Sequence, residues 1–544
     1  MVQAVWSTAD GRLLEVTNLE GEQVSRLASH VDPLLAAFAP LWLVWPSPSL
    51  LLIAQAIAVG LGAVPVFWLA RKHLRSQRAA LAFAFAYLLY PPVQWLTLDD
   101  FHAVALACPL LLFAFWYLDE DRLGAFAAFA VPAVLAKEEI GFVVAAMGVW
   151  YAISRRRLGT GSAIAALGTA WSVVAIAIVI PAAGEGESDF YGRYEDVGGS
   201  PAGVLETAVT DPGRILSAAF DERGVGYLAE LVLPLAGFCL LAPAALLVAV
   251  PELAVNLLSA TRTQTSIHFH YTAGLVPGLV AASVLGAARL VSKRPSLATP
   301  LGAVAVVAAL AANYRLGAIP LWQHVPGGET LRADTYDLTE HDRVAARALG
   351  VIPGDEAVSA TNTLGAHLSE RRRVLSFPLL AGARWIAVDE RRPSLMDRLD
   401  PPGAQARIAA ARRDPAWRVV FEEDGILVLR RRSAPSGALE RDGLRQEVGR
   451  QAQHEQLGRT VVLGGGERGG PDDVPGDEIR RRKQEQAGRE TEPGGGRDRE
   501  ARAVVGIGAP ARPRPLPGGQ RHARARSGRL PPARGRLAAS RAAR

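Results

Sequence analysis

Long apolar segments separated by short charged loops occupy residues 50–315, and they constrain the fold more than any other feature. The segment at residues 50–70 is long enough to cross the hydrocarbon core of a bilayer as a helix. Hydrophobic residues make up 50% of the 544-residue chain although its last fifth is very polar, so they are concentrated upstream. The sequence therefore predicts a mainly α-helical protein that crosses the membrane several times.

Basic residues within the membrane region lie in short loops, and they predict its orientation. Short cytoplasmic loops collect Lys and Arg, so we expect these loops on the cytoplasmic side. Residues 228–260 satisfy this arrangement only as a hairpin of two short helices broken near Pro243. About ten crossings then fit into residues 50–315 of a bacterial plasma-membrane protein, with both ends of this region extracytoplasmic. The basic loops are residues 71–78, 155–157 and 289–294.

Composition divides the chain into four regions. Residues 1–49 predict an extracytoplasmic loop with an interfacial helix at 34–45, followed by the transmembrane domain at 50–315. Short buried strands alternate with helical patterns in residues 316–432, which predicts a small extracytoplasmic α/β domain. Residues 433–544 are rich in Arg, Gly, Pro and Glu, and they predict a disordered tail because they cannot bury enough apolar surface.

Charge and cysteine content argue against two classes of protein. The formal net charge of +6 would suggest a nucleic-acid partner in a soluble protein. Here the basic charge lies in membrane loops and in the tail, so we expect the lipid bilayer, and no nucleic acid, as a partner. The two cysteines, Cys108 and Cys239, lie inside apolar segments and predict buried thiols without a disulfide framework.

Polar side chains collect in four loops that this topology places on the extracytoplasmic face. Carboxylates beside histidines can bind a divalent cation or act as general bases, whereas Lys and Arg suit phosphate. No spacing is a specific motif by itself, and Lys137 with its two glutamates also fits an ion-paired helix end. Agreement among four loops favours a common site. Its candidates are His30 and Asp32; Asp99, Asp100 and His102; Lys137, Glu138 and Glu139; and Arg262, His268, His270 and Tyr271.

Short motifs spread over residues 1–432 also resemble those of a known protein family. They are Gln3-Ala-Val-Trp6 with Gly11, Ser29-His-Val-Asp-Pro33, Asp99-Asp-Phe-His102, Lys137-Glu-Glu139, His270-Tyr271, Ser359-Ala-Thr-Asn-Thr-Leu364, His367-Leu-Ser and Arg371. Together they resemble landmarks of domain-of-unknown-function family 2079 (DUF2079), a family of predicted bacterial membrane proteins. Its members are similar in layout to GT-C glycosyltransferases, polytopic enzymes that use polyprenyl-phosphate sugars at the outer face of the membrane.

The resemblance implies transfer of a sugar from a polyprenyl-phosphate donor to an extracytoplasmic acceptor. A carboxylate would deprotonate the acceptor hydroxyl, and a cation, Arg or Lys would stabilise the leaving phosphate. The catalytic candidates are then Asp99, Asp100 and Glu138; the phosphate-binding candidates are Lys137, Arg262, His268, His270 and Tyr271; and the candidates for a divalent cation such as Mg²⁺ or Mn²⁺ are His30, Asp32 and His102.

The family pattern also places an Asp-containing segment immediately before the position of Gln3. The resemblance therefore implies an apolar helix upstream of Met1 that ends near a further carboxylate. Two other classes of function stay open. One is a secondary transporter whose path includes Lys137, Glu138 and Glu252, although no internal repeat is evident and the polar residues lie at segment ends. The other is a non-enzymatic envelope protein that acts through its α/β domain.

Overall fold

Residues 1–45 of the computed structural model form a small layer against the membrane helices. Leu35 and Trp42 are buried in a cluster that also contains Leu51 and Phe101, whereas Val44 is 85% exposed. The segment at residues 34–45 is largely helical, and its position at the membrane interface stays a prediction. The elements are α1 (Val2–Ala9), the antiparallel strands β1 (Glu15–Thr17) and β2 (Gln23–Ser25), a 3-10 turn at Pro33–Phe38, and α2 (Ala39–Val44).

The structure describes residues 1–184, 189–325, 337–394, 397 and 401–432. These residues all belong to one compact unit that spans residues 1–470. The tail at residues 433–544, which we expect to be disordered, lies outside the described residues.

Apolar helices fill most of residues 48–316. Within the described ranges, four helical segments are long and apolar enough to cross a membrane, and one bent pair of helices meets the same test together. Shorter apolar helices of 10–17 residues lie among them, so the count of crossings stays a prediction. The four long segments are Pro48–Leu74, Leu158–Ala183, Val276–Lys293 and Pro295–Leu316; the bent pair is Gln77–Leu89 with Pro91–Leu98; and the shorter ones are Pro33–Val44, Ala103–Asp119, Leu123–Val134, Ile140–Ser154 and Pro243–Leu257.

A proline causes the bend in that pair. Pro91 has no N–H to donate, and its ring pushes Tyr90 out of the helical region to a ψ of 118°. The two helices consequently meet at an angle of 50°. The helices up to residue 183 are α3 (Pro48–Leu61), α4 (Ala63–Leu74), α5 (Gln77–Leu89), α6 (Pro91–Leu98), α7 (Ala107–Asp119), α8 (Leu123–Val134), α9 (Ile140–Ser154), α10 (Leu158–Val174) and α11 (Ile180–Ala183).

Glycines let α9 and α10 pack backbone to backbone. A Cβ added at Gly148 would lie 2.6 Å from the carbonyl oxygen of Gly161, and one added at Gly161 would lie 2.6 Å from that of Gly148. Membrane helices use small residues in this way because close packing replaces the hydrophobic driving force that lipid does not supply. These two helices therefore lie next to each other in the bundle.

Two of the basic loops meet at one buried carboxylate. The Asp119 side chain is only 1% exposed at the end of α7, and it pairs with Lys72 at 2.6 Å and with His73 at 2.8 Å. Arg155, at the end of α9, lies 2.5 Å from its other oxygen. The loops that we expect on the cytoplasmic side thus share one end of the helices.

Residues 189–257 are more helical than their sequence suggests. The segment before residue 226, which reads as a long polar loop, forms short helices. The hairpin expected within residues 228–260 has two breaks. The first lies at Ala236 and Gly237, which both adopt positive φ, and the second lies at Ala242, immediately before Pro243. The helices of this part and of the remaining membrane region are α12 (Pro201–Thr210), α13 (Pro212–Ala219), α14 (Glu222–Val232), α15 (Pro243–Leu246), α16 (Val250–Leu257), α17 (Val276–Lys293) and α18 (Ala298–Leu316).

A five-stranded mixed sheet forms the predicted α/β region. Its order is β4-β3-β5-β7-β6, with β3 parallel to both neighbours and β7 antiparallel to both of its own. Alternate residues of β5 face opposite sides, so Trp385 joins one apolar core and Ile386 the other. The elements are α19 (Glu340–Leu349), β3 (Val358–Ala360), α20 (Asn362–Gly365), β4 (Val374–Ser376), β5 (Trp385–Asp389), α21 (Pro401–Arg413), β6 (Trp417–Glu423) and β7 (Ile426–Arg431).

Buried Gln3 joins the α/β region to the N-terminal layer. Its amide nitrogen donates to the carbonyl oxygen of Arg371 at 3.0 Å, and its amide oxygen accepts from the backbone N–H of Thr17 at 2.9 Å. Two of the family landmarks, Gln3 and Arg371, are therefore in contact although 368 positions separate them. With its apolar helices and small sheet, the structure confirms the mainly α-helical fold class with an α/β region.

Candidate functional site

One cavity of about 310 Å³ collects residues from all four polar loops named by the sequence. We call it the polar cavity. Charged and hydrogen-bonding side chains from widely separated parts of the chain line it, beside a few apolar residues of the neighbouring helix starts. Its polar lining is Arg26, His30, Asp32, His102, Lys137, His270 and Tyr271.

A buried glutamine in a membrane helix holds the Asp99–His102 loop in place. Gln55 of α3 is fully buried, and its amide nitrogen donates to the carbonyl oxygen of Asp99 at 3.0 Å. Its amide oxygen accepts from the backbone N–H of His102 at 3.1 Å. Burying an amide without hydrogen-bond partners costs several kcal/mol of folding free energy. Because the loop backbone supplies both partners, Gln55 stabilises the loop in this position.

Asp99, His102 and His270 form one contact group on the cavity wall. Asp99 Oδ2 accepts from the backbone N–H of His270 at 2.8 Å and lies 3.1 Å from its Nδ1. The two imidazole rings stack with centroids 3.6 Å apart. Burial lowers the pKa of His102 to about 3 and that of His270 to about 2, so both rings are neutral at neutral pH. Burial also raises the pKa of Asp99.

Lys137 and its two glutamates are both an ion-paired helix end and part of the site. Lys137 Nζ lies 2.6 Å from Glu139 and 5.6 Å from the centre of the Tyr271 ring. Glu138 accepts from the backbone N–H of Val31 and contacts His30 Nδ1, each at 2.9 Å. Burial opposes its charge, but the His30 hydrogen bond and the field of Lys137 lower the pKa of Glu138 to about 2.

The predicted residues do not all reach the cavity. Asp32 lines it and pairs with Arg26 at 2.9 Å, and burial raises the pKa of Asp32. Asp100 is exposed beside Asp99, and no described hydrogen bond reaches its carboxylate. Arg262 and His268 lie outside the polar lining, and His268 packs on Trp95 with ring centroids 4.6 Å apart.

The metal-ligand set expected from the sequence is not a contact group in the structure. His30 contacts Glu138, and Asp32 contacts the guanidinium of Arg26. Within the described ranges, the three side chains close enough to share an ion are Asp99, His102 and His270, whose ligand atoms lie within 4.8 Å of one another. Only His102 belongs to both sets.

Several residues around the cavity were not among the sequence candidates. Arg26 lines it, and Arg193 donates to the Tyr271 hydroxyl at 3.4 Å. Asn256 donates to the Tyr271 carbonyl oxygen at 2.8 Å. A sequence signal existed for Gln55 and Asn256, which interrupt apolar helices and therefore need a buried partner. Arg26 and Arg193 lie in polar stretches that resemble any solvated loop.

Comparison with known proteins agrees with this layout. A family model described as "Predicted membrane protein (DUF2079)" matches residues 1–428, which include every lining residue of the polar cavity. No curated protein matches the chain. Since the match covers well over half of the sequence, the chain belongs to the DUF2079 family of predicted membrane proteins.

Proposed function

We propose that this protein transfers a sugar from a polyprenyl-phosphate donor to an acceptor on the extracytoplasmic side of the membrane. The observation that carries the proposal is the polar cavity, where four loops place cations, imidazoles and carboxylates together beside apolar helices. A lipid-linked phosphate sugar needs this combination, because its phosphate requires positive charge while its chain stays in the bilayer.

Lys137 and Arg26 are the phosphate-binding groups of this proposal. Both line the cavity, and each is held by one carboxylate, Glu139 and Asp32 respectively. A paired cation keeps a fixed position and still has N–H groups free to donate to phosphate oxygens. Tyr271 and Arg193 extend the same side of the site. Arg262 and His268, which lie outside the lining, have no direct part in it.

Asp100 lies beside the cavity lining and not in it, but no described hydrogen bond engages its carboxylate, so we assign it as the base. Glu138 is engaged by His30 and a backbone N–H, and Asp99 is engaged by His270. In the proposed step the acceptor oxygen forms a bond to the anomeric carbon while the bond from that carbon to the phosphate oxygen breaks. The acceptor proton passes to Asp100, and polyprenyl phosphate leaves with the electron pair, which inverts the anomeric centre.

Secondary transport is a second candidate, and one observation favours it. Glu252 is only 2% exposed, and its Oε2 has no hydrogen-bond partner within the described structure. Gly274 leaves room for it, since a Cβ there would lie 2.9 Å from that oxygen. A buried carboxyl near the Lys137 cluster suits proton coupling in a transporter.

Lipid retention on the purified protein tests the proposal. We expect organic extracts of gently purified protein to contain a polyprenyl-phosphate sugar detectable by mass spectrometry. The double variant Lys137→Met/Glu139→Met removes both partners of one ion pair, which avoids leaving a lone buried charge. It should lose most of the bound lipid, whereas Arg262→Met, a cation outside the cavity lining, should retain it. A folded wild-type protein without such a lipid, or equal retention in both variants, would contradict the proposal.

A further inference from the structure

We propose that Asp99, His102 and His270 bind one divalent transition-metal ion, typified by Zn²⁺, on the wall of the polar cavity. The use of this ion to stabilise the leaving phosphate rests on the function proposed above, whereas its binding does not. The sequence alone suggested a different set of ligands, built from His30, Asp32 and His102, and a harder ion.

The three side chains are already close to the spacing that one ion requires. Their ligand atoms lie within 4.8 Å of one another, and Asp99 Oδ2 lies 3.1 Å from His270 Nδ1. Ligands at about 2.0–2.1 Å from a tetrahedral ion lie about 3.4 Å apart. Binding of one ion therefore requires the two stacked imidazoles to rotate until their ligand atoms, now within 4.8 Å of one another, approach this spacing.

Surrounding hydrogen bonds orient the group as metal sites require. Nδ1 of His102 lies 2.8 Å from the carbonyl oxygen of Asp100, to which it donates, and this leaves the lone pair of Nε2 for an ion. Gln55 fixes the backbone at both ends of the Asp99–His102 loop. The backbone N–H of His270 donates to Asp99, which sets the distance between the two loops. Groups outside the ligand set therefore hold His102 and the Asp99–His102 backbone, while His270 is held by its contact with Asp99.

The chemical types of the three ligands indicate which ion the site would prefer. Two imidazoles and one carboxylate match Zn²⁺ and similar transition metals, whereas Mg²⁺ prefers an all-oxygen shell with several waters. The alternative set is less suitable because the guanidinium of Arg26 already lies 2.9 Å from Asp32. A cation added there would meet a positive charge.

Three protein ligands leave at least one position open, as in catalytic zinc sites. His102 and His270 both line the polar cavity together with Lys137, so the open position faces the same space as the phosphate-binding groups. An oxygen of the leaving phosphate bound there would be stabilised as its charge develops. Asp100, which is outside the ligand set, stays available as the base.

Metal titration of the full-length purified protein tests the site. After removal of metals and equilibration with Zn²⁺, we expect about one ion per chain, measured by mass spectrometry of the metal. Co²⁺ in its place should give the absorption bands of a four- or five-coordinate ion. His102→Gln and His270→Gln should each weaken affinity at least tenfold, because each loses a direct ligand. Asp99→Asn should alter the Co²⁺ bands even if a histidine variant fails to fold.

His268→Gln is the matched control, because His268 lies on the same loop as His270 but packs on Trp95. It should bind Zn²⁺ as the wild type does, and millimolar Mg²⁺ should not displace the ion. Less than a tenth of an ion per wild-type chain, or equal weakening by His268→Gln, would overturn the site. Lipid retained on metal-free protein that then takes up no Zn²⁺ would refute the metal site alone. Stoichiometric Zn²⁺ without any bound lipid would refute the proposed function alone.

Discussion

At the scale of single residues, the sequence identified polar residues that come together in the structure, but not how they pair. Lys137, Glu138 and Glu139 fitted both a functional cluster and an ion-paired helix end; the structure pairs Lys137 with Glu139 and places Lys137 in the cavity lining. The pairing of Glu138 with His30 joins positions 108 apart, and that of Asp99 with His270 joins positions 171 apart. No local spacing encodes such contacts, so the predicted metal-binding set mixed residues from two different groups.

Glu138 gives a prediction about pH at this scale. Its pKa is about 2 in the folded protein and 4.5 in the reference state, so its charge stabilises the fold fully above pH 4.5. This contribution, about 3 kcal/mol at most, is lost as pH falls through 2. Glu138→Gln should therefore lower the melting temperature at pH 7, and the difference from wild type should shrink steadily below pH 4.5. Glu20→Gln, at an exposed position, should change nothing. A difference independent of pH would contradict the assignment.

At the scale of secondary-structure elements, the sequence predicted the long apolar segments but not the short amphipathic helices. The segment at residues 50–70 lies within the long helical segment Pro48–Leu74 of the structure. Residues 201–219 were overlooked because Pro, Gly and charged residues interrupt their apolar positions. The local signals were nevertheless present: Ser200 and Asp211 each cap a helix, and each is followed by a proline at the first helical position.

The helices α12 and α13 yield a prediction of their own. Leu205 and Leu216 are 70% and 57% exposed on helices that adjoin the membrane region. Water would make this exposure costly, so we expect these faces to lie in the lipid headgroup layer. Tryptophan introduced as Leu205→Trp or Leu216→Trp should be quenched by brominated lipid in liposomes. Glu206→Trp, on the polar part of α12, should be quenched much less. Equal quenching at all three positions would contradict this placement.

The buried carboxylate of Asp119 predicts a large loss of stability. Asp119→Asn removes the charge that Lys72, His73 and Arg155 share, and breaking such a buried pair typically costs about 3–5 kcal/mol. Asp121→Asn, two positions later, affects a carboxylate that is 49% exposed in its pair with Arg157, so it should cost much less stability than Asp119→Asn. Thermal unfolding in detergent compares the two. Similar losses in both variants would show that Asp119 does not join these loops.

At the scale of the whole molecule, composition predicted the membrane region and the α/β region, but not how they meet. The short buried strands expected within residues 316–432 form a five-stranded sheet, and β5 is buried at every position because both faces of the sheet are covered there. The hydrogen bond between Gln3 and Arg371 connects the N-terminal layer with the α/β region. Hydrophobic periodicity in the sequence carries no information about this contact. The four polar loops converge in the polar cavity, and the prediction that they share one side of the membrane came from charge placement alone.

The orientation of the polar cavity is the central claim, and cysteine accessibility in intact cells tests it most directly. Native Cys108 and Cys239 are fully buried, so the background should be low. Gly159 and Gly354 are matched positions, because each has open space where a side chain would begin. Gly354→Cys, in the α/β region, should react with an impermeant thiol reagent, and Gly159→Cys, beside the basic loop 155–157, should react only after permeabilisation. Labelling of Gly159→Cys with protection of Gly354→Cys would contradict the account.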